Sequence, residues 1–85
     1  MTNDIIEKFI DTKAQKNGKV TIYFKQRATI KGMFIRTNDF DELKAKNFWR
    51  IVSEAKVEEF VKTKDSSLAR IYNGAEFTRL SETAQ

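Results

Sequence analysis

A mainly β fold is what this sequence predicts: an N-terminal α-helix followed by a small, strongly bent five-stranded antiparallel barrel. Three observations lead there. Apolar residues recur at helical spacing near the N-terminus and alternate from Lys19 onward. Gly32 interrupts the longest alternating stretch, where a glycine marks a bend or a close backbone approach. Turn signals at Asn17-Gly18, Asp65-Ser66-Ser67 and Asn73-Gly74 then divide the chain into short segments.

The helix spans about residues 3–16. Ile5, Ile6, Phe9 and Ile10 form one apolar face, which Ala14 extends. Thr2 or Asn3 can cap it. Asp4 and Glu7 complement the dipole at that end, Lys13 and Lys16 at the other. Gly18 supplies the left-handed residue past the end. In the first strand Val20, Ile22 and Phe24 face one way, and Lys19, Thr21, Tyr23 and Lys25 the other. Gln26-Arg27 makes a tight hairpin.

The second strand runs from about Ala28 to Thr37. Ala28, Ile30, Gly32 and Phe34 share a face, and past the glycine Met33 and Ile35 make the opposite face apolar too. That second half needs a cover, which the N-terminal helix or another subunit would supply. Gly32 is then the structural bend that lets one strand serve two sheets. Asn38 to Glu42 reads as a loop, and Asn47 to Ser53 as a strand carrying Phe48, Trp49, Ile51 and Val52. Residues 55–64 fit two periods: Val57, Phe60 and Val61 a helix, Val57, Glu59 and Val61 a strand. The strand is the reading adopted. A strand at 68–72, a reversal at Asn73-Gly74 and a last strand at 76–80 complete the barrel, at about 19–80. Residues 1–80 form a single domain and 81–85 a polar tail.

Composition narrows the function. The chain of 85 residues has no cysteine and no histidine, which removes thiolate chemistry, the usual general base at neutral pH and the commonest metal ligand. Ser53, Ser66, Ser67 and Ser81 have no histidine to activate them. Neither an enzyme nor a cofactor nor a bound metal is expected, and no small-molecule substrate. The longest apolar run in mid-chain is Met33-Phe34-Ile35, against the ~20 residues a membrane helix needs, and no secretory signal is legible. A cytoplasmic protein without a membrane partner is the expectation. Sixteen basic and 12 acidic residues leave a net charge of +4, compatible both with a polyanion partner and with an ordinary solvated surface.

Val20-Thr21-Ile22-Tyr23-Phe24, Ile30-Lys31-Gly32 and Asn38-Asp39-Phe40 together resemble the first motif of the Sm-like family (LSm, including its bacterial Hfq branch): two strands, a glycine at the bend, then an Asp-x-Phe or Asp-x-Tyr turn. Arg70-Ile71-Tyr72-Asn73-Gly74 stands where the second motif's Ile-Arg-Gly-Asn turn would be. In that family an N-terminal helix stacks on a bent five-stranded barrel of SH3 type. The resemblance implies a non-enzymatic domain that self-assembles into a homo-oligomeric ring and binds single-stranded RNA. This chain has Asp41 and Glu42 where the family commonly has an Asn after the aromatic residue, and Tyr72 at the second-motif Arg position.

Several candidate sites follow. Phe40 either stacks a base at the ring pore or plugs the barrel end. Tyr23, Arg27 and Lys31 interleave aromatic and basic side chains as single-strand binders do; in the bacterial branch the corresponding face binds adenine-rich RNA. The other reading of these three is an ordinary solvent-facing sheet. Arg70, Tyr72 and Asn73 offer a phosphate contact and a stacking ring, or simply a strand end and a turn. Trp49, beside Phe48, belongs to the core or to a self-assembly interface, where Ile71 and Phe77 would join it if the strand ending at Tyr72 pairs with a neighbour's last strand. Asp39, Asp41 and Glu42 read as a solvated acidic loop rather than a cation site. Two alternatives to RNA binding stay open: a self-assembling or protein-binding module with the same fold, and a monomeric SH3-like peptide binder.

Overall fold

The computed structural model describes residues 1–12 and 19–82. Helix α1 (Asn3–Thr12) precedes strands β1 (Lys19–Phe24) and β2 (Ile30–Phe34). A short helix α2 (Phe40–Ala45), strand β3 (Phe48–Ser53) and helix α3 (Glu54–Thr63) follow. Strands β4 (Arg70–Asn73) and β5 (Phe77–Glu82) come last, each preceded by a single 3-10 turn. The five strands form one antiparallel sheet in the order β4-β3-β2-β1-β5.

That order forces a curl. The consecutive strands β4 and β5 lie at opposite edges, yet only Gly74–Glu76 separates them. A flat sheet would put its two edges about 19 Å apart. Four chain steps reach at most about 14 Å. The sheet therefore bends round until Phe24 on β1 meets Tyr72 on β4, ring centroids 5.9 Å apart, although two strands intervene in the ladder. A β-bulge assists: Tyr23 pairs with Arg79 and Phe24 with Phe77, so Thr78 is the extra residue, and its hydroxyl donates to the Tyr23 carbonyl at 3.2 Å. The expected barrel is nevertheless not closed. β4 and β5 do not pair with each other among the described residues, because the intervening turn aligns their ends and not their lengths.

Each face of the curled sheet carries its own apolar cluster. On the inner face Ile6 and Ile10 of α1 bury against Val20, Ile22, Trp49, Ile51 and Phe77. On the outer face Ile35, Val52 and Val57 bury together, with Met33, Phe60 and Ala69 packed around them. The second cluster corrects the sequence reading of residues 55–64. They form α3, not a strand. Ala55, Lys56, Glu58, Glu59 and Lys62 are good helix formers, and a helix places Val57 and Phe60 over Met33, Ile35 and Val52. This helix is the cover that β2 required.

Other differences are smaller. Residues 40–45 are helical where a loop was expected, and β5 extends through Ser81 and Glu82, which the sequence assigned to the tail. The ordered ladder of β2 is Ile30–Phe34, shorter than the 28–37 expected, and β4 starts at Arg70. The expected helix end at 13–16, the Asn17-Gly18 stop and residues 83–85 lie outside the described residues.

Both of the described glycines are set by close approach. A Cβ on Gly32 would overlap the Val52 carbonyl oxygen of β3 and lie 3.0 Å from Ile51 Cγ2. Gly74 is not a left-handed turn residue but a buried one. A Cβ there would sit 2.6 Å from Ile6 Cδ1 and 2.7 Å from Trp49 Nε1. The reversal comes instead from Asn73, whose side-chain oxygen accepts from the Ala75 amide at 2.9 Å.

Candidate nucleic-acid interface

The curl brings together residues that the sequence holds in two separate groups. A cavity of about 270 Å³ opens where β4 and the end of β1 approach without pairing. Arg27, Arg70, Tyr72 and Asn73 line it, with Phe24 and Glu76. The guanidinium carbon of Arg27 lies 5.4 Å from the Phe24 ring centroid and 5.7 Å from that of Tyr72. Arg27 thus covers the pair of rings as a cation–π lid. Neither Arg27 nor Arg70 forms an ion pair among the described residues, and Glu76 pairs with neither of them.

A second, smaller cavity of about 150 Å³ shares Arg70 and Tyr72 and runs on to Ser53 and Lys56 at the start of α3. Arg27 and Arg70 line the first cavity and Arg70 and Lys56 the second, and Tyr72 is in the wall of both. Cations without ion-pair partners among the described residues, beside two aromatic rings tilted 40° to each other, suit a phosphodiester chain and its bases.

Tyr23 and Lys31 are elsewhere. They lie on the outer face of the sheet, with Tyr23 under the Arg79 guanidinium (5.2 Å to the ring centroid) and Lys31 exposed beside Thr21. The expected trio of Tyr23, Arg27 and Lys31 is divided, because Arg27 sits in the hairpin and folds back over Phe24.

Phe40 forms a contrasting cluster at the first turn of α2. Its ring packs on Trp49 at 5.9 Å and 69° and joins the inner core. The Arg36 guanidinium lies 4.6 Å from the ring centroid and the Lys44 ammonium 5.9 Å. Both cations are tied to α1: Arg36 to Asp11 at 2.5 Å, Lys44 to Glu7 at 2.7 Å. The hydrogen bond that Lys44 donates to Glu7 raises the Lys44 pKa. Asp39 just before Phe40 is held by Arg50 through two hydrogen bonds, at 2.7 and 3.3 Å, and accepts from the Thr37 hydroxyl. These partners, Arg50 first, lower its pKa from 3.8 to about 2. Asp41 points to solvent, 92% exposed, with Lys44 at 3.6 Å. Among the described residues no group of three acidic side chains is arranged to hold a metal ion.

Of the residues expected at a self-assembly interface, Trp49 and Phe77 are inside the chain's own core, each 1% exposed. Trp49 Nε1 donates to Asn47 Oδ1 at 2.8 Å, so its polar edge is also satisfied internally. Ile71 alone of the three is at the surface, 49% exposed on edge strand β4. Phe24, Glu76 and Lys56 are the groove residues that sequence reasoning missed. Phe24 reads as a core residue of an alternating strand, and nothing in the local pattern of Glu76 or Lys56 sets them apart from other surface charges.

No family model, no curated protein and no solved structure matches this chain.

Proposed function

We propose that this chain is a non-enzymatic domain of Sm-like type that assembles with copies of itself into a ring and binds single-stranded RNA. One observation carries the binding half of the proposal. The cavity between the end of β1 and β4 collects Arg27 and Arg70, free of ion pairs among the described residues, beside the Phe24 and Tyr72 rings, and the second cavity adds Lys56 on the other side of Arg70 and Tyr72. Cations without acid partners and with π-faces between them are what a single strand requires. The assembly half rests on the two sheet edges, β4 and β5, unpaired among the described residues, which can continue each other's ladder between copies and bring Ile71 into the contact.

A second reading, an assembling or protein-binding module without RNA, is favoured by the Phe40 turn. There the ring is packed on Trp49 and both neighbouring cations are already paired with α1 acids. Light-scattering mass separates the readings. A mass several times the 9.9 kDa of one chain, increasing with oligo-U or oligo-A and less so as salt rises, is the expected result. A ring that takes up neither oligonucleotide selects the module reading, and a monomer removes the Sm-like one.

A further inference from the structure

Glu76 stands out in the larger cavity. Glu76 lines the same opening as Arg27 and Arg70, yet it is bonded to neither arginine among the described residues. Its backbone is pinned: the Glu76 carbonyl accepts from the Lys25 amide at 3.0 Å, and the flanking turn is held by Asn73. The site therefore asks three things of one ligand. An anionic part suits Arg27 and Arg70. A flat ring suits Tyr72 and Phe24. A group rich in N–H donors suits Glu76, which when ionised can only accept hydrogen bonds. A cavity of about 270 Å³ is small against the range of roughly 300–1,000 Å³ typical of small-molecule pockets, and so takes one nucleotide unit.

Among the bases only guanine presents two adjacent donors, N1–H and the N2 amino group, to the two oxygens of one carboxylate. Uracil offers a single imino donor, and adenine and cytosine one amino group each. We propose that this cavity binds a guanine of single-stranded RNA, with Glu76 accepting from N1–H and N2–H, Tyr72 stacking the base and Arg70 on the phosphate. Arg27, which lies over both rings, moves off them to admit the base. The inference rests on the RNA-binding reading above. It does not need a ring, since every residue it uses belongs to one copy of the chain.

The test uses the full chain and a fluorescent uridine heptamer whose central position is U, A, guanosine or inosine. Inosine keeps N1–H and lacks the N2 amino group. The guanosine heptamer is expected to bind about tenfold tighter than the inosine and uridine ones, the discrimination a bidentate contact to a base edge provides. Glu76→Gln should bring guanosine and inosine to within about twofold of each other, while uridine affinity rises at most a few-fold at low salt because a negative charge leaves the cavity. Uniform binding of all four heptamers, or a guanosine preference that survives Glu76→Gln, overturns the guanine assignment and leaves RNA binding standing. Failure to bind any heptamer at low salt overturns both. Circular dichroism of Glu76→Gln is expected to match the parent, because the side chain bonds to no other described residue.

Discussion

Two clusters in this molecule have the same ingredients and opposite character. At the Phe40 turn an aromatic ring lies between Arg36 and Lys44; in the β1–β4 groove the Phe24 and Tyr72 rings lie under Arg27 beside Arg70. The first is closed. Asp11 and Glu7 reach across from α1 to neutralise its cations, and the ring is packed on Trp49. The second is open, its arginines unpaired among the described residues and a cavity left between the strands. Basic and aromatic residues side by side do not by themselves make a binding site. What differs here is whether an acid pairs with the cations.

The comparison can be broken most severely at Gly74, which lies beneath both clusters, against Trp49 on one side and next to Asn73 on the other. Gly74→Val should destabilise the domain by about 3 kcal/mol, since Ile6 and Trp49 have nowhere to move. Urea denaturation measures this, and a variant of unchanged stability would refute the close-packing account. Phe40→Ala comes next. As a half-buried ring on the core it should cost roughly 2 kcal/mol, less than the ~3–5 of a fully buried Phe, with RNA affinity retained. Loss of RNA binding with stability intact would exchange the roles of the two clusters.

Arg70→Ala and Arg27→Ala should do the reverse. Each should weaken oligonucleotide binding about tenfold, as loss of a charge-assisted contact does. Stability should stay within about 0.5 kcal/mol for Arg70→Ala, which loses no ion pair among the described residues, and within about 1 kcal/mol for Arg27→Ala, which also loses its cation–π contacts to Phe24 and Tyr72. Each should also reduce the slope of log affinity against log salt by about 0.7. Fluorescence anisotropy over a salt series reads both quantities.

Acid sharpens the contrast. The folded-state pKa of Asp39 is depressed from 3.8 to about 2. Its contribution to stability is therefore fully present above pH 4 and is lost as pH falls from 4 through about 2. The stability advantage of the parent over Asp39→Asn should be constant above pH 5, be mostly lost at pH 2 and vanish below it. An advantage unchanged at pH 2 would mean that the Arg50 pair does not form in solution. The smallest effect is expected from Glu7→Gln combined with Asp11→Asn. Releasing Lys44 and Arg36 should raise oligonucleotide affinity only a few-fold at low salt and leave it unchanged at high salt, where such exposed charges are screened.

The groove was half legible before folding was considered. Arg27 stands out as a hairpin cation, and Arg70, Tyr72 and Asn73 as a strand end with stacking chemistry, but they are more than forty positions apart, and β4 pairs with neither of the strands that the hairpin joins. The closure of Phe40 was not legible. Its two cations are near in sequence, while the acids that neutralise them sit on the N-terminal helix, 25 and 37 positions away.

Local periodicity by itself determined the N-terminal helix, the alternating strands β1 and β2, and the need for a cover over Met33 and Ile35. These depend on near neighbours, and a pattern of 3.6 or 2 is written in the residues. The state of residues 54–63 was decided only by tertiary structure. Helix and strand fit that segment about equally, and the apolar outer face of β2 and β3 chose the helix. Gly74 was likewise settled in three dimensions, by Ile6 and Trp49 and not by its turn. The same holds for the groove: a three-residue link between opposite sheet edges curls the sheet until β1 meets β4, and side chains far apart in the sequence become one surface.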